Sequence, residues 1–198
     1  GGPTWRSDLN IVLINPPHTA IGSRVPDDHL PPLGLLAIGG PLIDSGHQAR
    51  LIDAEFGPMP LTVLVDEALR DDPDFILIGH SGSTSAHPTA LKIAQMVKAR
   101  APSVILIYGG VFPTYHWRDT LAATDVFDFI VRGEGEATAS ALVEAIEMRQ
   151  PVASVAGIAY RDDFGHPVAT QPAMTIADLD AWRVGWELID HRRYSYWG

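Results

Sequence analysis

The sequence predicts an α/β fold in which a parallel, five-stranded sheet is doubly wound with helices on both faces, in the strand order 2-1-3-4-5. Three observations predict it. Short undivided apolar runs of strand length recur, the pattern of strands buried on both faces. Stretches with helical spacing stand between them, so strand and helix alternate along the chain. Small or polar residues close most of the runs, where a chain must turn from strand to helix.

The elements follow in order. "LNIVLINPP" (9–17) is the first strand, closed by prolines. "PPLGLLAIGGPLIDSG" (31–46) is a helix with prolines at its start and Gly46 as its stop, although Gly39, Gly40 and Pro41 weaken it locally. "QARLIDA" (48–54) is the second strand, "PLTVLVDEALRDD" (60–72) a helix and "DFILIGHSG" (74–82) the third strand. "HPTALKIAQMVKARAP" (87–102) is an amphipathic helix and "SVILIYGG" (103–110) the fourth strand. "YHWRDTLAAT" (115–124) is a short helix, "VFDFIVRG" (126–133) the fifth strand, and a last helix runs to about Gln150. "GIAYRDDFGHPVATQ" (157–171) carries a hairpin signal around Asp-Asp-Phe-Gly, and an aromatic-rich tail of weak periodicity follows. We expect a domain over residues 1–150, with 151–198 as hairpin and linker.

Composition excludes several classes. The chain has 198 residues, 46% of them hydrophobic, which suffices for a buried core. Net charge is −10 with no basic cluster, so nucleic acid is not an expected partner. No apolar run approaches the roughly 20 residues that cross a bilayer, and "GGPTWRSD" lacks the order of a signal peptide. There is no cysteine, which removes thiolate chemistry and Cys-ligated clusters from this chain and suits a cytoplasmic location.

In a doubly wound sheet, ligands bind beyond the carboxyl ends of the strands. Those ends here read Asn15-Pro16-Pro17-His18, Ser81-Gly82-Ser83-Thr84-Ser85, Gly109-Gly110 and Gly133-Glu134-Gly135-Glu136. They offer small or polar groups and exposed backbone, suited to a large ligand approached closely by main chain. The last turn is near the G-x-G-x-x-G spacing, but Thr138 takes the third glycine's place and two glutamates would meet a pyrophosphate. A phosphate loop, a G-x-S-x-G elbow and a receiver domain's acidic pair are all missing. The eight histidines show no tight metal spacing, although His18, His80, His87 and His116 lie near the ligand edge. A flavin or nucleotide module on a flavodoxin-like fold stays open as an alternative.

With "VLINPP", "PPLGLLAIGGPLIDSGHQARLIDA", "DFILIGHSGST", "VILIYGGVFPT" and "DFIVRGEGEAT" in this order, the chain resembles the N-terminal cobalamin-binding domain of cobalamin-dependent radical S-adenosylmethionine enzymes. It is most similar to the branch containing the anaerobic magnesium-protoporphyrin monomethyl ester cyclase. The resemblance implies a cobalamin slot lined by Asn15, Pro16 and Pro17, and by Ser81, Gly82, Ser83 and Thr84. It continues along Gly109, Gly110, Val111 and Thr114, and along Gly133, Glu134, Gly135 and Glu136, through backbone groups under the cofactor's tail. Many such carriers hold cobalt by the histidine of D-x-H-x-x-G. Here His18 has Pro16 in the aspartate's place and Gly22 one residue late, so the orienting carboxylate is missing. Phe112 stands where the double-glycine turn often continues to a histidine, and we expect water or nothing on the lower cobalt face.

The resemblance also implies a 4Fe–4S cluster and S-adenosylmethionine in the parent enzyme, an oxidoreductase, cyclase or methyltransferase. The C-x-x-x-C-x-x-C motif that holds such a cluster is not in these residues, so we expect a cofactor module, not catalytic alone, whose partner is the radical domain of the same polypeptide. Apolar surface normally covered by that domain predicts self-association.

Overall fold

The computed structural model describes residues 8–17, 31–55, 59–80, 86–174 and 183–190. Its five parallel strands are β1 (Asn10–Asn15), β2 (Gln48–Asp53), β3 (Phe75–His80), β4 (Ile105–Gly110) and β5 (Phe129–Val131). Helices α1 (Leu33–Asp44), α2 (Leu61–Leu69), α3 (His87–Arg100), α4 (Val111–Ala123) and α5 (Glu136–Glu147) alternate with them. The expected order 2-1-3-4-5 is present. The hairpin strands β6 (Ile158–Arg161) and β7 (Pro167–Ala169) extend the same sheet, β6 pairing antiparallel to β5, so the sheet is mixed and seven-stranded.

Undivided apolar strands arise because alternate residues face opposite layers and both layers are covered. In β3, Ile76 and Ile78 join one core while Phe75 and Leu77 join the other. The first core lies under α2 and α3 around Ile14, Leu64, Ile93, Tyr108 and Phe127. The second lies under α1 and α5 around Leu13, Leu42, Ile107, Leu142 and Ile158. Each fully buried aliphatic side chain contributes about 1.5–3 kcal/mol, so the two layers carry the fold.

α4 begins earlier than its apolar pattern indicates. Gly110, at φ +123°, turns the chain straight from β4 into Val111, and Pro113 sits in the first helical turn, where its missing N–H costs nothing. α1 stays continuous through Gly39, Gly40 and Pro41. Those glycines form a notch for the later segment 183–190. A Cβ on Gly39 would collide with Leu188 and one on Gly40 with the Arg183 carbonyl, and the Gly185 N–H donates to Leu36 O at 2.8 Å. Part of the aromatic tail therefore packs on its own domain, over the edge formed by α1 and β2. Among the described residues, no helix is long and apolar enough to cross a membrane.

Candidate cofactor site

The parallel register sets Gly79 beside Gly109, and Gly109 beside Val131. These positions face the α1–α5 layer, since a Cβ on Gly79 would meet Leu35 of α1 at 2.7 Å. Asn15 stands one step past the Ile14–Ile78 pair, at the end of the same row. Together they make a shelf with few side chains at the carboxyl edge, between the first turns of α1 and α5. Gly135 closes its far side, because a Cβ there would touch Val131 at 3.3 Å and Ile38 of α1 at 3.4 Å.

Thr114 joins the two glycine turns. Its hydroxyl donates to Gly110 O at 2.7 Å and accepts from the Gly133 N–H at 3.0 Å, so one side chain fixes the turn after β4 against the turn after β5. Gly133 needs its φ of +81°, a conformation that side chains rarely adopt. Gly109 has no such need. It is buried with an ordinary strand backbone, and among the described residues an added Cβ would meet only Val131, at a comfortable 3.7 Å. Nothing among the described residues explains a glycine there. In a strand, that pattern marks a place where a ligand approaches closely.

Further features mark the same edge. Leu33, Val111 and Tyr115, at the N-terminal ends of α1 and α4, are 55%, 54% and 79% exposed, apolar surface at the same edge. Neither Pro32 before α1 nor Gly135 before α5 gives a side-chain cap to the first N–H groups of its helix. In the first turns of α5, the buried Glu136 Oε2 and Ser140 Oγ atoms have no hydrogen-bond partner.

The expected site residues divide by what the structure does with them. Pro16, Gly109, Gly110, Val111, Thr114, Gly133, Glu134, Gly135 and Glu136 all gather at the carboxyl edge, with Glu134 and Gly133 exposed. The Asn15 side chain is committed elsewhere, donating to Asp53 at 2.9 Å and Glu55 at 3.2 Å across the β1–β2 edge. Pro17 is half-buried beside it. Ser81, Gly82, Ser83, Thr84 and His18 lie outside the described residues.

His87 and His116 do come together, stacked on either face of Phe112 at 4.1 and 4.4 Å. His87 also shares a 2.9 Å hydrogen bond with the Tyr108 hydroxyl, which stacks on Phe127. Burial pushes the His87 imidazole below its usual range, with nearby His116 adding to the effect, and burial pushes the Tyr108 phenol up. The first core thus reaches the edge through a ladder of rings. Among the described residues, no three His, Cys, Asp or Glu side chains group as a metal site. Sequence reasoning missed Ser140 and the sparse packing on Gly109 among the described residues, since neither carries a spacing signal. A shelf with few side chains, uncapped helix starts and partnerless buried polar atoms fit a large, amide- and hydroxyl-bearing cofactor such as cobalamin.

Comparison with known proteins agrees with this geometry. A family model for the B12 binding domain matches residues 20–143, more than half of the chain. The chain is 52% identical over 190 residues to an anaerobic magnesium-protoporphyrin IX monomethyl ester cyclase of Synechocystis, which covers 96% of this chain and 38% of the relative. The cyclase of the same name from Rubrivivax gelatinosus is 27% identical over 192 residues, covering 95% of this chain and 34% of its own. The chain therefore spans little more than a third of these relatives' length. Among solved structures, the cobalamin-dependent S-adenosylmethionine radical enzyme OxsB superposes with a TM-score of 0.70 at 20% identity, covering 85% of this chain and 23% of that one. The radical S-adenosylmethionine methyltransferase TsrM of Kitasatospora setae superposes at 0.67 with 15% identity, covering 84% and 31%. The flavin alternative finds no support in these matches, and the chain belongs to the B12-binding domain family.

Proposed function

We propose that this chain is the cobalamin-carrying module of a radical S-adenosylmethionine enzyme, of the magnesium-protoporphyrin monomethyl ester cyclase branch. The observation that carries the reading is Gly109, a buried strand glycine whose added Cβ would meet, among the described residues, Val131 alone. Bound cobalamin supplies a cobalt centre able to carry a methyl group or pass electrons. The chain's part is to hold it: Gly109 floors the slot, Thr114 locks its two glycine turns, and exposed Leu33, Val111 and Tyr115 offer apolar surface to the ring's periphery. Asn15 shapes the β1–β2 edge and does not reach the cofactor. Ser81, Gly82, Ser83 and Thr84, from the loop after β3, complete the slot on this reading.

Residues 151–198 lead toward a radical domain of the same polypeptide, which brings the 4Fe–4S cluster and S-adenosylmethionine. The 52% identity to the Synechocystis cyclase supports the choice of branch. Self-association of the separate chain would proceed through Leu33, Val111 and Tyr115, the apolar surface that the radical domain otherwise covers. On this reading His18 would not hold cobalt, and water or nothing would stand on that side.

The test is the visible spectrum of the purified chain after incubation with hydroxocobalamin and removal of free ligand. A retained corrin spectrum is expected, unchanged in His18→Ala and lost in Gly109→Val. The latter should stay folded, because its Cβ makes an ordinary 3.7 Å contact with Val131. A colourless chain calls for the same measurement on the full-length polypeptide. If that is also colourless, the cobalamin reading fails.

A further inference from the structure

Helix α5 carries two polar atoms that folding has buried without satisfying: Glu136 Oε2 in its first turn and Ser140 Oγ one turn on. A spacing of four residues places them on one helix face. The direction of that face is fixed at both ends. Seven residues beyond Ser140, Glu147 reaches the His47 imidazole at 3.7 Å, just past the C-terminal end of α1. Immediately before Glu136, Gly135 lies against Ile38 of α1. α1 and α5 each follow a parallel strand, so they run the same way, and the N-terminal half of this face opens at the carboxyl edge beside the Gly79–Gly109 shelf.

Buried acceptors are nearly always paired in folded proteins, and an unpaired one marks a missing partner. An ionised carboxylate accepts hydrogen bonds and donates none, so the partner of Glu136 must be a donor. A second carboxylate or a phosphate is excluded by charge. A metal ion would lack a ligand set, because no three acidic or imidazole groups converge among the described residues. A neutral N–H or O–H remains. The N-terminal end of α5 complements the carboxylate's charge, so the side chain can sit there before any ligand arrives.

We propose that the Glu136 carboxylate and the Ser140 hydroxyl form an acceptor pair for a neutral N–H or O–H donor of the bound corrinoid. The proposal rests on the cobalamin reading and gives the glycine–glutamate turn a side-chain role in addition to a backbone one. Two parts of such a ligand carry suitable donors: the amide arms of the ring and the hydroxyl-bearing nucleotide loop.

The experiment titrates cobalamin, and cobinamide, which lacks the nucleotide, into the wild type, Glu136→Ala and Ser140→Ala. It is followed by absorbance in whichever retains the corrin, the chain or the full-length polypeptide. Melting temperatures of the cofactor-free proteins are measured alongside. Glu136→Ala should weaken cobalamin roughly 10-fold or more, and Ser140→Ala by a smaller factor. Without cofactor Ser140→Ala should melt no lower than the wild type, since it removes an unpaired buried hydroxyl and Ala favours the helix, and Glu136→Ala should lose no more than the small stabilisation of a carboxylate at a helix N-terminus. Weakening confined to cobalamin assigns the donor to the nucleotide loop, and weakening of both ligands assigns it to the amide arms. Unchanged affinities in both variants would overturn the proposal. So would a loss of affinity matched by a lowered melting temperature, which would make the pair structural. A wild type that binds neither corrinoid in either form would instead sink the cobalamin reading beneath it.

Discussion

At Gly133 the backbone sits at φ +81°, so a side chain there strains the turn whatever space surrounds it, whereas Gly109 is free of that demand. Sequence alone shows two glycines in two turns. Only the coordinates separate a conformational glycine from one kept for close approach, because the difference lies in a dihedral angle and in the neighbours a side chain would meet. His87 was visible in the same partial way. Its place before a helix put it near the edge, but its stacking on Phe112 depends on α4 starting at Val111. Burial and His116 hold the folded imidazole below its ordinary value, so the unfolded chain takes up a proton first as pH falls. Stability contributed by neutral His87 is present above the ordinary imidazole range. It is lost as pH falls through that range toward the lower folded value. Urea midpoints at pH 7.5 and 5.5 should therefore fall more in the wild type than in His87→Gln. Equal falls would show that His87 adds nothing to the acid sensitivity.

The hairpin shows what periodicity can and cannot supply at the scale of an element. Alternation around Asp162–Gly165 located the turn, and Asp162 Oδ1 indeed accepts from the N–H groups of Phe164 and His166 at 2.9 Å each. Nothing in the pattern said that β6 would join the sheet beside β5. A long-range side chain decides that placement: Arg161 donates to the carbonyls of Leu121, Thr124, Asp125 and Phe127, gathering the C-terminal end of α4 and the approach to β5. Those carbonyls have no helical donors of their own to meet. A guanidinium satisfies several at once, and its charge complements the negative end of the helix. Arg161→Ala should cost about 2–3 kcal/mol, measured as a shift in urea midpoint. Arg161→Lys should recover only part of it, since an ammonium cannot span the same fork. A loss below about 0.5 kcal/mol, the size of an ordinary surface substitution, would show that the hairpin is held by its strand pairing alone.

For the whole molecule, the five β–α units and their order were legible because the inner strands are apolar on both faces and most turns are marked by small residues, whereas β2, at the edge, is half-buried and polar. The course of the chain after the hairpin was not, because its contacts are made by backbone and glycine. Gly39 and Gly40 read as weak points of a helix, yet they admit Leu188 and the Arg183 carbonyl, and Gly185 must itself lack a side chain, because a Cβ there would come within 2.9 Å of the Gly40 nitrogen. Arg183 adds ion pairs to Asp44 and Glu187, all three of them substantially exposed and worth little by themselves. Close packing of backbone on backbone is therefore what holds residues 183–190 to α1. Gly185→Val places its bulk on the segment and leaves α1 unchanged, so it should free the segment without unfolding the sheet. Hydrogen exchange is the direct measure. The residue-185 amide, which donates to Leu36 O in the wild type, should exchange at least 10-fold faster, with the amides of β1 and β3 unaffected. Gly40→Val should reproduce the effect from the other side of the contact. Protection retained at residue 185 in both variants would mean that the ion pairs, and not the glycine notch, anchor the chain to the domain.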